Sequence, residues 1–130
     1  MHKTTAGFSL IELLFTIAVI GIICSITVPL YHQQLTTARR TAIKAIILKT
    51  AIKLEESYLI NKNYDNLTLD AILTSDATRQ RYQLELLTNN QSYLIKAIPL
   101  GSQAKDPCGT LSMDHLGAQK ASGKDFLICW

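Results

Sequence analysis

Glu12 is the residue whose placement most demands a chemical explanation. It stands five residues after Gly7, at the edge of a run from Leu13 to Tyr31 that carries no formal charge over nineteen residues. A carboxylate at membrane depth costs on the order of 3 kcal/mol or more, so it takes a partner and a task. The chemistry it offers is ion pairing, because a buried carboxylate needs a cation or a donor. The other reactive groups are three cysteines, Cys24, Cys108 and Cys129. Cys108 and Cys129 have twenty residues between them, and an oxidising compartment would let them close on each other. Closing a loop of about 20 residues is worth roughly 3 kcal/mol in the chain-entropy account. Cys24 lies inside the apolar run, as a small apolar residue.

The remaining candidates do not assemble into a catalytic set. His2, His32 and His115 are scattered, and His115 sits beside Asp114 in an expected turn. There is no P-loop, no CxxC pair and no HExxH, so the reading is of a chain that is not an enzyme and carries no cofactor. Asp106 and Asp114 are isolated carboxylates, whereas calcium takes about six to eight oxygens; no metal site is expected. The net charge of +3 is too weak to argue for nucleic acid. Lys96, Lys105, Lys120 and Lys124 could line a basic strip, but as four scattered lysines they read first as a solvated face.

These groups must be positioned by a few elements. The uncharged run is just long enough to cross a hydrocarbon core of ~30 Å, which takes ~20 helical residues. A secretory signal is cut after its apolar core at a small-x-small site. Here the small residues, Ala6 and Gly7, come before it. Pro29, near the far end, would weaken or bend the helix by removing a backbone donor. Helical periodicity then continues. Ile43, Ile47, Ala51, Leu54 and Tyr58 form one apolar stripe, while Arg40, Lys44, Lys49, Lys53 and Glu56 mostly face elsewhere. Asn61, Asn63 and Asp65 supply stop and turn chemistry. A helix from about Phe8 to about Ile60 would be roughly 80 Å long, too long for burial in one small domain. Its first half must pack on something else, and the stripe on its second half needs a sheet.

Alternation supplies that sheet. Tyr82, Leu84 and Leu86 alternate with polar neighbours, Asn89-Asn90 is a turn signal, and Tyr93, Ile95 and Ala97 line a second run ended by Pro99. Leu111 and Met113 suggest a third strand, Gly117 a turn, and Phe126 to Trp130 a fourth strand or an ordered tail. The fold class is α+β: a long N-terminal helix, transmembrane and then amphipathic, packed on a small antiparallel sheet with a disulfide-bounded C-terminal region. The globular part, of about 90 residues, buries only roughly 60–65% of its unfolded surface, so a covalent staple helps.

The segment Ala6-Gly7-Phe8-Ser9-Leu10-Ile11-Glu12-Leu13-Leu14 resembles the prepilin cleavage and methylation motif of type IV pilins and type II secretion pseudopilins. Lys3 in the leader, Gly7, Phe8, Glu12 and Pro29 each match that pattern. Asp106-Pro107-Cys108-Gly109-Thr110-Leu111, Gly117, the ending Cys129-Trp130, and Leu54-Glu55-Glu56-Ser57-Tyr58 followed by Asn63-Tyr64 are similar to PilE-type minor pilins. The resemblance implies a leader at 1–7, a transmembrane and filament-core helix at 8–31, and a periplasmic domain at 32–130, with helix to about 60 and sheet at about 80–130. It implies cleavage after Gly7 and N-methylation of Phe8 by a prepilin peptidase. It also implies assembly with other pilins through the helix, Glu12 meeting the amine of a neighbour's Phe8, at an inner-membrane assembly machinery. The subunit would wait in the inner membrane, C-terminus outside, and end in a surface pilus serving adhesion, twitching motility or DNA uptake. In pilins an equivalent of Cys108–Cys129 bounds the C-terminal region. The rival readings are a secretion pseudopilin and a DNA-binding pilin.

Overall fold

The computed structural model describes residues 7–65, 69, 79–123 and 126–130. The expected leader residues before Gly7, His2, Lys3 and Ala6 among them, and Lys124 lie outside the described residues.

The helix α1 spans Leu10–Asn61. The chain divides into two compact units, one ending at Leu35 and the other beginning at Thr36. In the first unit the helix starts on a capping residue. Leu13 N–H donates to the Ser9 carbonyl at 3.2 Å, and Glu12 Oε2 accepts the Ser9 N–H at 3.0 Å. Ser9-x-x-Glu12 therefore supplies the acidic half of a capping box, satisfying a donor that the helix start leaves free. Polar side chains along the apolar stretch are satisfied within the helix. Thr16, Ser25 and Thr27 donate to the carbonyls of Glu12, Ile22 and Ile23 at 2.6–2.7 Å, so these three hydroxyls are paired within the helix. Pro29 stands inside α1, and the helix runs through it. Its missing N–H removes only the bond that would reach the Ser25 carbonyl.

In the second unit, α1 turns one stripe to a sheet. Ile43, Ile47, Thr50, Ala51 and Leu54 are buried, with Tyr58 packed at the margin. The sheet has the order β1-β2-β3-β4, formed by Tyr82–Thr88, Tyr93–Pro99, Leu111–Asp114 and Gln119–Ala121. Every neighbouring pair is antiparallel. Tyr93, Ile95 and Ala97 of β2 and Leu111 and Met113 of β3 point into the core, following the period of two. Asn89 closes the first hairpin, its Oδ1 accepting the N–H groups of Gln91 and Ser92, the local bonding that suits Asn to turns.

One expectation needs correction, and one open alternative is decided. Arg40 does not face elsewhere: it is buried, on the same stripe as Ile43 and Ile47. Spacing of three and then four residues puts it there, and its burial follows from the partner described below. Of the two alternatives for Phe126 to Trp130, a fourth strand or an ordered tail, the strand does not form: Phe126–Cys129 make a short helical turn, α2, ordered by the Cys129 disulfide. The fourth strand is Gln119–Ala121, which pairs with β3 immediately after the Gly117 turn (φ 75°). Tyr64, set just past the helix, is buried as well.

Between β2 and β3 lies a 3₁₀ turn, η1, at Gly101–Lys105. Cys108 and Cys129 form a disulfide with Cα atoms 5.5 Å apart. Gly123 passes so close to Pro107 that a Cβ would strike the Pro107 carbonyl, and its N–H donates to the Cys108 carbonyl at 3.0 Å. Trp130 lies against the edge strand β4, its indole N–H donating to the Lys120 carbonyl at 2.9 Å.

The end of α1 stores strain. Lys62, exposed, has φ 57°, and its N–H donates to the Tyr58 carbonyl at 2.8 Å. That is the left-handed terminating position usually held by glycine. Lys62→Gly should raise stability by about 0.5–1 kcal/mol, measured by thermal unfolding of the detergent-solubilised chain. An unchanged or lower midpoint would contradict this account of the helix end.

Candidate functional site

The N-terminal motif is displayed openly. Gly7, Phe8 and Ser9 precede the helix. Phe8 is 84% exposed, and Leu10, Ile11, Leu13, Leu14 and Phe15 are exposed behind it. Phe8, Ile11, Glu12, Phe15 and Thr16 line one shallow groove. Glu12 is brought to the Ser9 amide and to no cation among the described residues. Its carboxylate thus has a donor within its own chain and keeps capacity for a second. Among the described residues α1 is the one helix long and apolar enough to cross a membrane, in keeping with membrane anchoring.

The second constellation lies where α1, η1 and the disulfide region meet. Arg40 Nε and Nη2 donate to Asp106 Oδ2 and Oδ1 at 2.9 and 2.8 Å, a two-pronged ion pair with both side chains buried. Asp106 Oδ1 also accepts the Cys108 N–H at 3.0 Å. Gln103, fully buried, donates from Nε2 toward the Thr36 carbonyl, Tyr82 Oη and Asp106 Oδ2 at 2.9–3.1 Å. Burial pushes the Tyr82 hydroxyl above its ordinary pKa, against the Gln103 hydrogen bond, which lowers it. The periodicity of α1 is compatible with Arg40 on the buried stripe, three residues before Ile43, but its charge argues for solvent. Only the carboxylate of Asp106, 66 residues away, accounts for its burial.

The other carboxylate weighed for calcium, Asp114, accepts the N–H groups of Leu116 and Ala118 in its own turn at 2.9–3.0 Å. An aromatic cluster of Tyr58, Tyr64 and Tyr93 closes the far side of the domain, Tyr58 and Tyr64 stacked at 4.5 Å and Tyr64 meeting Tyr93 edge-on at 5.0 Å. Tyr64 Oη donates to Glu55 at 3.3 Å. Burial first, then the Glu55 charge, raise the Tyr64 and Tyr93 hydroxyls above the ordinary tyrosine pKa, that of Tyr93 well above it. Of the four lysines singled out, Lys96 and Lys120 share a transverse row on the outer face of the sheet, Glu85–Lys96–Ser112–Lys120. Lys105 is exposed at the end of η1.

A long N-terminal apolar helix on a four-stranded antiparallel sheet, with a C-terminal disulfide, is the type IV pilin fold. A type IV pilin from Shewanella oneidensis, solved at high resolution, is similar at 27% identity and a TM-score of 0.58, over 73% of this chain and 97% of that one. The Neisseria meningitidis non-core minor pilin PilV shares the fold at 13% identity and a TM-score of 0.57, over 71% of this chain and 91% of that one. No curated protein matches the chain. The prokaryotic N-terminal methylation motif matches residues 2–28. The family described as "Type IV minor pilin ComP, DNA uptake sequence receptor" matches residues 29–112, more than half of the chain. The chain belongs to that family of type IV minor pilins, which are structural subunits.

Two outcomes follow. Asp106→Ala should cost about 3–5 kcal/mol, because it strands a buried guanidinium; replacing Arg40 and Asp106 together by Met and Leu should cost much less. Equal losses in the two variants, read by thermal unfolding, would contradict the pairing. At alkaline pH the folded state keeps the protons of Tyr64 and Tyr93 after the unfolded chain has lost them. Stability should therefore hold up to about pH 10 and fall above it, with a shallower fall in Tyr93→Phe.

Proposed function

We propose that this chain is made as a prepilin, cut after Gly7, N-methylated on Phe8 and built into a type IV pilus through its N-terminal helix. The observation that carries this reading is the arrangement at the helix start: a methylation motif whose glycine and phenylalanine lie outside the helix, followed by Glu12 on a wholly exposed apolar face. Cleavage would create an amine on Phe8, the cation Glu12 lacks. In the filament the carboxylate would pair with that amine on a neighbouring subunit, which sets axial register more than bulk stability. Pro29 would loosen the helix where packing requires adjustment. The domains would be a leader at 1–7, a membrane and filament-core helix at 8–31, and a globular part at 32–130 held on the periplasmic side before assembly. Its partners would be other pilins, the prepilin peptidase and the inner-membrane assembly machinery.

A second reading, capture of DNA for uptake, is favoured by the family's description as a DNA uptake sequence receptor and by the Lys96–Lys120 row on the solvent face of the sheet. Phosphate contacts of that kind supply most nonspecific affinity. It is an added task of a pilus subunit rather than an alternative to one.

Surface filaments sheared from producing cells should yield an N-terminal peptide that begins at Phe8 and carries one methyl group. In Glu12→Ala, processed chain should accumulate in the inner membrane and vanish from the sheared fraction. A chain intact from Met1, or cut beyond Tyr31, would sink the pilin reading.

A further inference from the structure

Two guanidinium groups from separate parts of the chain converge on one neutral oxygen. Arg39 Nη1, from α1, lies 3.5 Å from the Ser102 hydroxyl, and Arg81 Nη1, from the residue before β1, lies 3.0 Å from the same atom. The two cationic nitrogens are thereby held within roughly 6–7 Å of each other, where their charges repel. Neither meets a carboxylate at ion-pair distance among the described residues. Asp106, at the end of the same turn, is already committed to Arg40. Both arginines are half-buried, while Ser102 and the neighbouring Lys105 are exposed, so the corner opens to solvent.

A serine hydroxyl can accept both donors, but it brings no charge to offset theirs. The planar forks of two arginines match the oxygens of a phosphoryl group, and the hydroxyl adds a donor to it. We propose that Arg39, Arg81 and Ser102 form a clamp for one phosphodiester of a nucleic-acid strand. The proposal rests on the DNA-capture reading and deepens it. The clamp is separate from the Lys96–Lys120 row, and it touches backbone rather than bases. It therefore adds affinity and fixes the strand's position without reading its sequence.

The test is binding of the full-length chain, in uncharged detergent, to fluorescent DNA duplexes of several sequences across a salt series. Arg39→Gln with Arg81→Gln should weaken binding about 5–10-fold, equally for every sequence, and reduce the slope of log affinity against log salt by about one or more. Ser102→Asp gives the clamp an internal carboxylate. It should cause a similar loss while the thermal midpoint holds or rises, which separates the effect from misfolding. Lys49→Gln, removing one exposed charge elsewhere on α1, is the comparison. If the wild-type chain binds DNA but the clamp variants behave as Lys49→Gln does, the clamp is wrong and the DNA reading stands. If the wild-type chain binds no duplex at about 50 mM salt, where phosphate contacts are strongest, the DNA reading fails and the clamp fails with it.

Discussion

A carboxylate removed from water must be met by cations and donors, and the Arg40–Asp106 pair shows how much structure that single demand organises. Asp106 receives two donors from Arg40, one from Gln103 and one from the Cys108 amide. Those four bonds join α1 to η1 and to the first cysteine of the disulfide. Arg40 also lies 3.5 Å from the Ile128 carbonyl, beside the second cysteine. A buried ion pair is weak evidence for added stability, since its desolvation cost is large. Its effect here is on specificity. Apolar packing already seats the helix stripe on the sheet, and the guanidinium, which has one carboxylate to reach, adds a directional constraint to it.

The disulfide and the ion pair do different work in this corner. The covalent link limits the unfolded chain, whereas the ion pair decides which part of α1 the linked loop docks against. Gly123 belongs to the same design, since its lack of a side chain lets the returning chain pass Pro107. The short helical turn at the C-terminus then leaves Leu127 and Ile128 exposed while Cys129 is buried.

The same demand recurs at Glu12 with the opposite outcome. Its carboxylate has one amide within its own chain and an exposed apolar face around it. The capping bond holds the helix start in place and leaves the bond between Gly7 and Phe8 outside regular structure. An incompletely paired carboxylate on a surface that must leave water is suited to a subunit that finishes its bonding only in an assembly.

Much of this was legible in one dimension. The motif from Gly7 to Glu12, the uncharged run, the apolar stripe from Ile43 to Tyr58 and the hairpin around Asn89-Asn90 all rest on local periodicity or on residue types whose chemistry is local. Those fix element types and the membrane-compatible helix, and the cysteine spacing named the pair that closes. The burial of Arg40, the strand at Gln119–Ala121, the helical turn at Phe126–Cys129 and the meeting of Arg39 with Arg81 at Ser102 were decided only by the tertiary structure. Each depends on contacts between residues six to sixty-six positions apart, where the partner, and not the residue's own pattern, determines whether a charge is buried or a short segment pairs.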